Sequence, residues 1–315
     1  MKKLLIVSDG KAGHENQSKA FCQALGYPYD CVEVSYPWRV CKMLSFVADR
    51  FSIFTERLFK LDALTGDDYY AAVVCAGSGA FYPGKVMARR LGAPVAAILY
   101  PGGYRLSTFD CIMAPAFDQP PSETNIIRIP INLTAVDMGF YADAAGAFRQ
   151  RHAPTSPAVG VVIGGPTPFS PMTAETLAQH LDALFKLTEG RERWVTTSRR
   201  TPAWADEVIA RYPFDYALVY RRDATFNPIP AFVTLCERLF VTADSTGMIS
   251  EAVTCGTANV EVLAVPSGKE CKFARFLGSL AASGAIHTFD GTLGTANAKI
   301  DLSPVFEQAR HLLRL

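Results

Sequence analysis

The chain has 315 residues, more than one ordinary domain needs and enough for two of about 150 each. Hydrophobic residues make up 49% and charged residues 19%, which excludes a disordered chain and supplies apolar material for two cores. A formal net charge of +1 excludes a global field that would draw the protein to nucleic acid, so any anion site must be local.

Residues 4–8 read as a first strand, 10–13 as a turn and 14–25 as a helix. The apolar run 4–7 is too short for the core of a signal peptide, and no stretch reaches the roughly 18–20 apolar residues of a membrane span. The expectation is a soluble cytoplasmic protein, at most peripheral to the inner face of a membrane. Further strands are predicted at 31–34, 71–75, 95–99, 111–114 and 126–129. Their apolar runs are continuous rather than alternating, which predicts parallel sheets covered on both faces by helices. Between the second and third strands, residues 38–61 carry a heptad-like stripe of Val40, Leu44, Val47, Phe51, Phe54, Leu58 and Leu61, widened by Trp38, Met43 and Phe46. Arg39, Lys42, Arg50, Arg57 and Lys60 oppose only Asp49 and Glu56. Two readings stand: a core helix or pair of helices with solvated charges, or a peripheral membrane-contact helix whose cations meet anionic headgroups.

The polar, proline-containing stretch 149–157 predicts a linker between an N-terminal Rossmann-like domain over 1–150 and a C-terminal Rossmann-like domain over 157–302. The second half repeats the rhythm, with strands predicted at 159–163, 194–197, 216–220, 239–242 and 259–263. Helices are predicted at 174–187, 203–211, 247–255 and 271–282. A last helix in 303–315 is expected to pack back on the N-terminal domain. The eight cysteines form no C-x-x-C pair and read as buried, reduced thiols.

Four segments can carry chemistry. Residues 8–17, SDGKAGHENQ, join the first strand to the first helix; Gly13 allows a close approach, and His14 stands at the carboxyl edge of the sheet. His14 can act as a general base oriented by Asp9 or Glu15, or it can simply face solvent beside a tight turn. The turn Gly164-Gly165-Pro166-Thr167 opens the second half and can admit a phosphate or serve geometry alone. Ser198, Arg199, Arg200 and Thr201 end a strand with paired cations suited to a pyrophosphate. In residues 241–252, Asp244 or Ser245 can cap a helix, and Glu251 can accept both hydroxyls of a ribose. Residues 79–85 fit G-x-x-x-x-G-K, but Val86 lacks the hydroxyl that holds a metal, and Pro83 removes an amide. That loop is instead expected to offer Ser78, Tyr82 and Lys85 to an acceptor.

DGKAGHENQ, the GGP turn, TTSRRTP, FNPIP and VTADSTGMISEA occur in order over about 8–252 and resemble the elongated-mitochondria (mitochondrial fission protein-like) family. Bacterial members of that family are described as glycosyltransferases, and plant members are tied to organelle division. Ala243 stands where an acidic residue is common, and Gly247 where a serine is. The layout is also similar to the GT-B enzyme that adds N-acetylglucosamine to the lipid-linked peptidoglycan precursor; Gly13-His14, Gly164-Gly165 and Glu251 parallel its motifs. These resemblances imply two Rossmann-like doubly wound parallel-sheet domains of GT-B type facing across a cleft. They imply transfer of sugar from a nucleotide-diphosphate donor to an envelope glycan or lipid-linked acceptor, with no cofactor. No D-x-D stands at a suitable strand end, so no metal is expected. A non-catalytic membrane-associated adaptor and a nucleotide-sugar epimerase are the alternatives.

Overall fold

The computed structural model describes residues 2–62, 69–134, 138–265 and 271–315. The chain forms two compact units, Met1–Val136 with Asp301–Leu315, and Asp137–Ile300.

The first unit begins with β1 (Lys3–Ser8), α1 (Ala12–Ala24), β2 (Tyr29–Ser35) and α2 (Arg39–Arg50). It continues with β3 (Lys60–Leu61), β4 (Tyr70–Ala76), α3 (Phe81–Leu91), β5 (Val95–Ile98), β6 (Cys111–Pro115) and β7 (Ile126–Ile129). The sheet order is β3-β2-β1-β4-β5-β6-β7. All pairings are parallel except β2 with β3, where Val34 faces Leu61. Leu4, Leu5, Ile6 and Val7 are all fully buried, as a strand covered on both faces requires.

The second unit runs α4 (Met138–Arg151), β8 (Ala158–Ile163), α5 (Ala174–Leu187), β9 (Glu192–Thr197), α6 (Ala203–Ile209) and β10 (Tyr216–Leu218). It then runs α7 (Ile229–Leu235), β11 (Cys236–Thr242), α8 (Thr246–Ala252), β12 (Asn259–Leu263), α9 (Lys272–Ala282) and β13 (His287–Thr288). Its sheet is parallel in the order β10-β9-β8-β11-β12-β13. The last helix, α10 (Ser303–Leu313), belongs to the first unit, where Phe306 meets Phe21 and Arg310 donates to the Leu25 carbonyl at 2.6 Å. Both units are Rossmann-like doubly wound sheets, the class expected from the sequence.

Three sequence expectations change. The second unit starts at residue 137, before the predicted linker, because α4 packs into it: Phe148 lies against Trp194, Tyr216 and Phe232. The segment 38–61 is neither a single helix nor a pair of them; α2 stops at Arg50, Ser52 turns at φ +57, and only a short helical turn at Glu56–Leu58 leads into the edge strand β3. Among the cysteines Cys22, Cys75, Cys111 and Cys236 are buried, whereas Cys31 is exposed on β2.

Candidate functional site

Each sheet reverses its strand order at one place, between β1 and β4 in the first unit and between β8 and β11 in the second. Crevices outside the carboxyl ends of such strand pairs are where open α/β sheets bind ligands.

In the first unit, β1 delivers Asp9, and the opening turn of α1 delivers His14. His14 Nδ1 lies 3.0 Å from Asp9 Oδ1, and Lys11 Nζ lies 3.2 Å from Asp9 Oδ2. Burial works to raise the Asp9 carboxyl, but His14 and Lys11 outweigh it and hold the group below its ordinary value. An ionised Asp9 on Nδ1 calls for a proton there, which leaves the Nε2 lone pair to accept from a ligand. The loop after β4 seats the pair. At Gly77, φ is +82, and a Cβ would stand 2.2 Å from the imidazole of His14; at Gly79 a Cβ would stand 2.7 Å from that of Asp9. In the sequence Gly79 stands out only as the first glycine of the G-x-x-x-x-G-K stretch. The readable signal was Gly-Ser-Gly directly after a strand.

The other residues expected here divide. Glu15 does not orient His14: it accepts from Ser8 Oγ at 3.1 Å and pairs with Lys19 at 2.6 Å. The Lys19 contact holds its carboxyl below the ordinary value. Gly13 lies in the first turn of α1 with open space beside it. Ser78 accepts from Lys42 Nζ at 3.0 Å. Tyr82 and Lys85 are not acceptor contacts, because both are buried in α3 with their polar atoms engaged. The Tyr82 hydroxyl donates to the Ile53 carbonyl and accepts from the Thr55 amide. Lys85 Nζ pairs with buried Asp49 at 2.6 Å and donates to the Arg105 carbonyl. Burial lowers the Lys85 ammonium, and Asp49 offsets part of that.

In the second unit, the ends of β8, β9 and β11 are stitched together by Asp244. Its carboxylate accepts from the Gly165 amide at 3.0 Å, Arg200 Nη2 at 2.8 Å and Thr242 Oγ1 at 2.6 Å. The Gly164 amide donates to Thr242 Oγ1 at 2.7 Å. The two glycine amides expected to cradle a phosphate are thus already engaged, and Asp244 is an internal tie rather than a ligand contact. Burial raises the Asp244 carboxyl above its ordinary value, against the pull of these donors. Thr201 is likewise internal, its hydroxyl donating to the Ile163 carbonyl and accepting from the Ser198 amide. Thr167 closes its own turn by accepting from the Ser170 and Phe169 amides.

What the stitch leaves outward is specific. Arg199 is exposed beside Arg200. Ser245 caps α8 by accepting from the Met248 amide, which keeps its own hydroxyl proton available. Glu251, farther along α8, keeps some exposure, yet burial pushes its carboxyl up to about 7, and among the described residues no hydrogen bond or opposing charge counters it. Beside it the Tyr141 hydroxyl is buried, with the Cys255 thiol as its neighbour. Burial first, then Glu251 and Cys255, drive that phenol far above its ordinary value. Tyr141 was invisible in the sequence, because nothing in its own segment marks a site.

In fold the chain is similar to UDP-GlcNAc 2-epimerase from Methanocaldococcus jannaschii, with TM-score 0.55 and 10% identity over all of this chain and 92% of that one. It is similar to UDP-GlcNAc 2-epimerase from Neisseria meningitidis bound to UDP-GlcNAc, with TM-score 0.50 and 12% identity over the whole of both chains. It is also similar to S. aureus MnaA in a co-structure with UDP, with TM-score 0.50 and 12% identity over 99% of this chain and 88% of that one. The fold class is therefore two Rossmann-like sheets of the GT-B type. No curated protein matches the chain in sequence. Residues 12–314, nearly the whole length, match the family described as Mitochondrial fission ELM1, and the chain belongs to that family.

Proposed function

We propose that this protein is a glycosyltransferase whose second unit holds a nucleotide-diphosphate sugar. The observation that carries the reading is the Arg200–Asp244 ion pair at 2.8 Å. It brings the cationic turn after β9 to the start of α8, so Arg199, Ser245 and the helix bearing Glu251 belong to one end of one sheet. Arg199 then supplies charge to the departing diphosphate, and Ser245 donates a hydrogen bond to it. Glu251, which meets no donor among the described residues, is assigned the two ribose hydroxyls. Asp9-oriented His14 is assigned removal of the proton from an acceptor hydroxyl. That two proteins of similar fold hold UDP or UDP-GlcNAc supports a uridine nucleotide as the first ligand to try.

Titration calorimetry with UDP and UDP-sugars tests the donor half. Wild-type protein should bind, and Arg199→Ala and Glu251→Ala should each weaken binding at least about tenfold, or 1.4 kcal/mol. His14→Ala should keep donor affinity and lose transfer. Wild-type affinity in both donor-site variants would remove the site assignment. Conversion of the donor alone into an isomer would reassign the chemistry to epimerisation.

A further inference from the structure

Helix α2 is turned inside out. A surface helix ordinarily buries its apolar stripe and shows its polar face to water. Here the inward residues are Ser45 and Asp49, both fully buried, with Lys42 partly covered beside them. Asp49 pairs with Lys85 and accepts from the Arg105 amide at 2.7 Å; Ser45 donates to the Lys42 carbonyl at 2.7 Å. With Ser45 and Asp49 committed inward, the helix presents Val40, Met43, Leu44 and Val47 outward, while Phe46 and Ala48 pack against the core. Met43 is 68% exposed and Val47 53%; Trp38 just before the helix is 71% exposed and Phe51 just after it 69%. Scattered exposed apolar residues are normal, but a contiguous strip on one helix marks a contact surface.

Charge and shape indicate what covers it. Arg39, Arg50, Arg57 and Lys60 are exposed along the same segment, and Arg105 is exposed beside it. The strip runs into a cavity of about 460 Å³ lined by Phe46, Val47, Arg50, Gly103, Tyr104 and Arg105. Its floor is aromatic, with the Phe46 and Tyr104 rings stacked 4.3 Å apart. Apolar side chains flanked by arginines and lysines match the boundary between acyl chains and anionic headgroups. Among the described residues no helix is long and apolar enough to cross a membrane.

We infer that the outward face of α2 is a docking surface for an anionic lipid bilayer, with a headgroup phosphate seated between Arg50 and Arg105. The inference does not rest on the donor-site reading, since every residue in it belongs to the first unit and the assay needs no nucleotide. It does bear on the acceptor: the inward face of α2 places Lys42 on Ser78, whose neighbours Gly77 and Gly79 seat His14 and Asp9.

Sedimentation of the full chain with phosphatidylcholine vesicles, with and without phosphatidylglycerol, tests it. The protein should partition at least tenfold more strongly onto the anionic vesicles, and added salt should release it. The double substitution Met43→Ser with Phe51→Ser, and separately Arg50→Glu, should each cut that partitioning at least tenfold while the melting temperature holds, because these side chains are exposed. Equal uptake by neutral and anionic vesicles, or variants that sediment like wild type, would overturn the inference. So would a wild-type dimer that the Met43→Ser, Phe51→Ser protein converts to a monomer, because the face would then belong to a second copy.

Discussion

A carboxyl group largely withdrawn from water resists ionisation, and Glu251, which meets no hydrogen-bond donor among the described residues, is placed that way. Its folded value of about 7 lies above the ordinary 4.5, so the folded protein carries a proton there that the unfolded chain has lost. Between those values stability should fall as pH rises, since the native state binds more protons than the unfolded one. Ligand binding should respond in the opposite sense. Only the ionised form accepts from both hydroxyls of a ribose, so nucleotide affinity should climb as pH rises through about 7 and then level off. Glu251→Gln should flatten both curves. Calorimetry at a series of pH values, with denaturation midpoints on the same samples, gives the two slopes; a wild-type affinity that does not change across this range contradicts the assigned contact. Tyr141 is the natural partner in this balance, since its buried hydroxyl lies near the same carboxylate.

At the scale of elements, loop geometry rather than residue identity builds the ends of both sheets. A Cβ at Gly164 would fall 2.2 Å from the Asp244 carboxylate oxygens, and Asp244 cannot yield without breaking its bonds to Gly165, Thr242 and Arg200. Gly164→Ala should therefore cost about 1–3 kcal/mol and weaken nucleotide binding with it. Gly146 provides the control: it lies in α4 with open space around it, so Gly146→Ala should be neutral or stabilise by about 0.5–1 kcal/mol. Equal stability of the two variants in urea titrations would show that the stitch is not rigid. The same contrast separates what the sequence made legible from what it hid. Strand β1 was readable because its continuous run of Leu, Ile and Val announces burial on both faces. The two-residue strands β3 and β13 were not, because they exist only through pairing with β2 and β12. Residues 79–85 resemble a loop because they follow a strand and fit G-x-x-x-x-G-K, yet Phe81 already opens α3, and Pro83 lies in its first turn, where its missing amide costs nothing. Arg199, Arg200 and Asp244 were visible as residue types at a strand end. Which of them faces a ligand and which faces inward was not, since that depends on a long-range pairing between residues 44 positions apart.

For the whole molecule, the chain leaves the first unit before residue 137 and returns to it at residue 301, so the first unit is completed only when the C-terminus arrives. Helix α10 packs against α1, β6 and β7. Phe306, Ala309 and Leu313 are buried there, and Arg310 closes the orphan carbonyl of Leu25 just past α1. Burying a Phe or Leu side chain contributes about 1.5–3 kcal/mol each, so Phe306 and Leu313 together supply several kcal/mol. Domains of this size are stable by only about 5–15 kcal/mol, and the contribution is a large share of that. Deleting residues 301–315 should therefore open the first unit. Amide hydrogen exchange should show α1, β6 and β7 losing protection, while β8 and β11 keep theirs. The single substitution Phe306→Ala should reproduce part of the effect, at about 3–5 kcal/mol for a buried aromatic, and Arg310→Ala should cost less because it removes a hydrogen bond rather than a core side chain. Unchanged protection of α1, β6 and β7 in the truncated protein would mean that the N-terminal segment folds without its C-terminal helix, and the returning chain would then be a surface addition rather than part of the core.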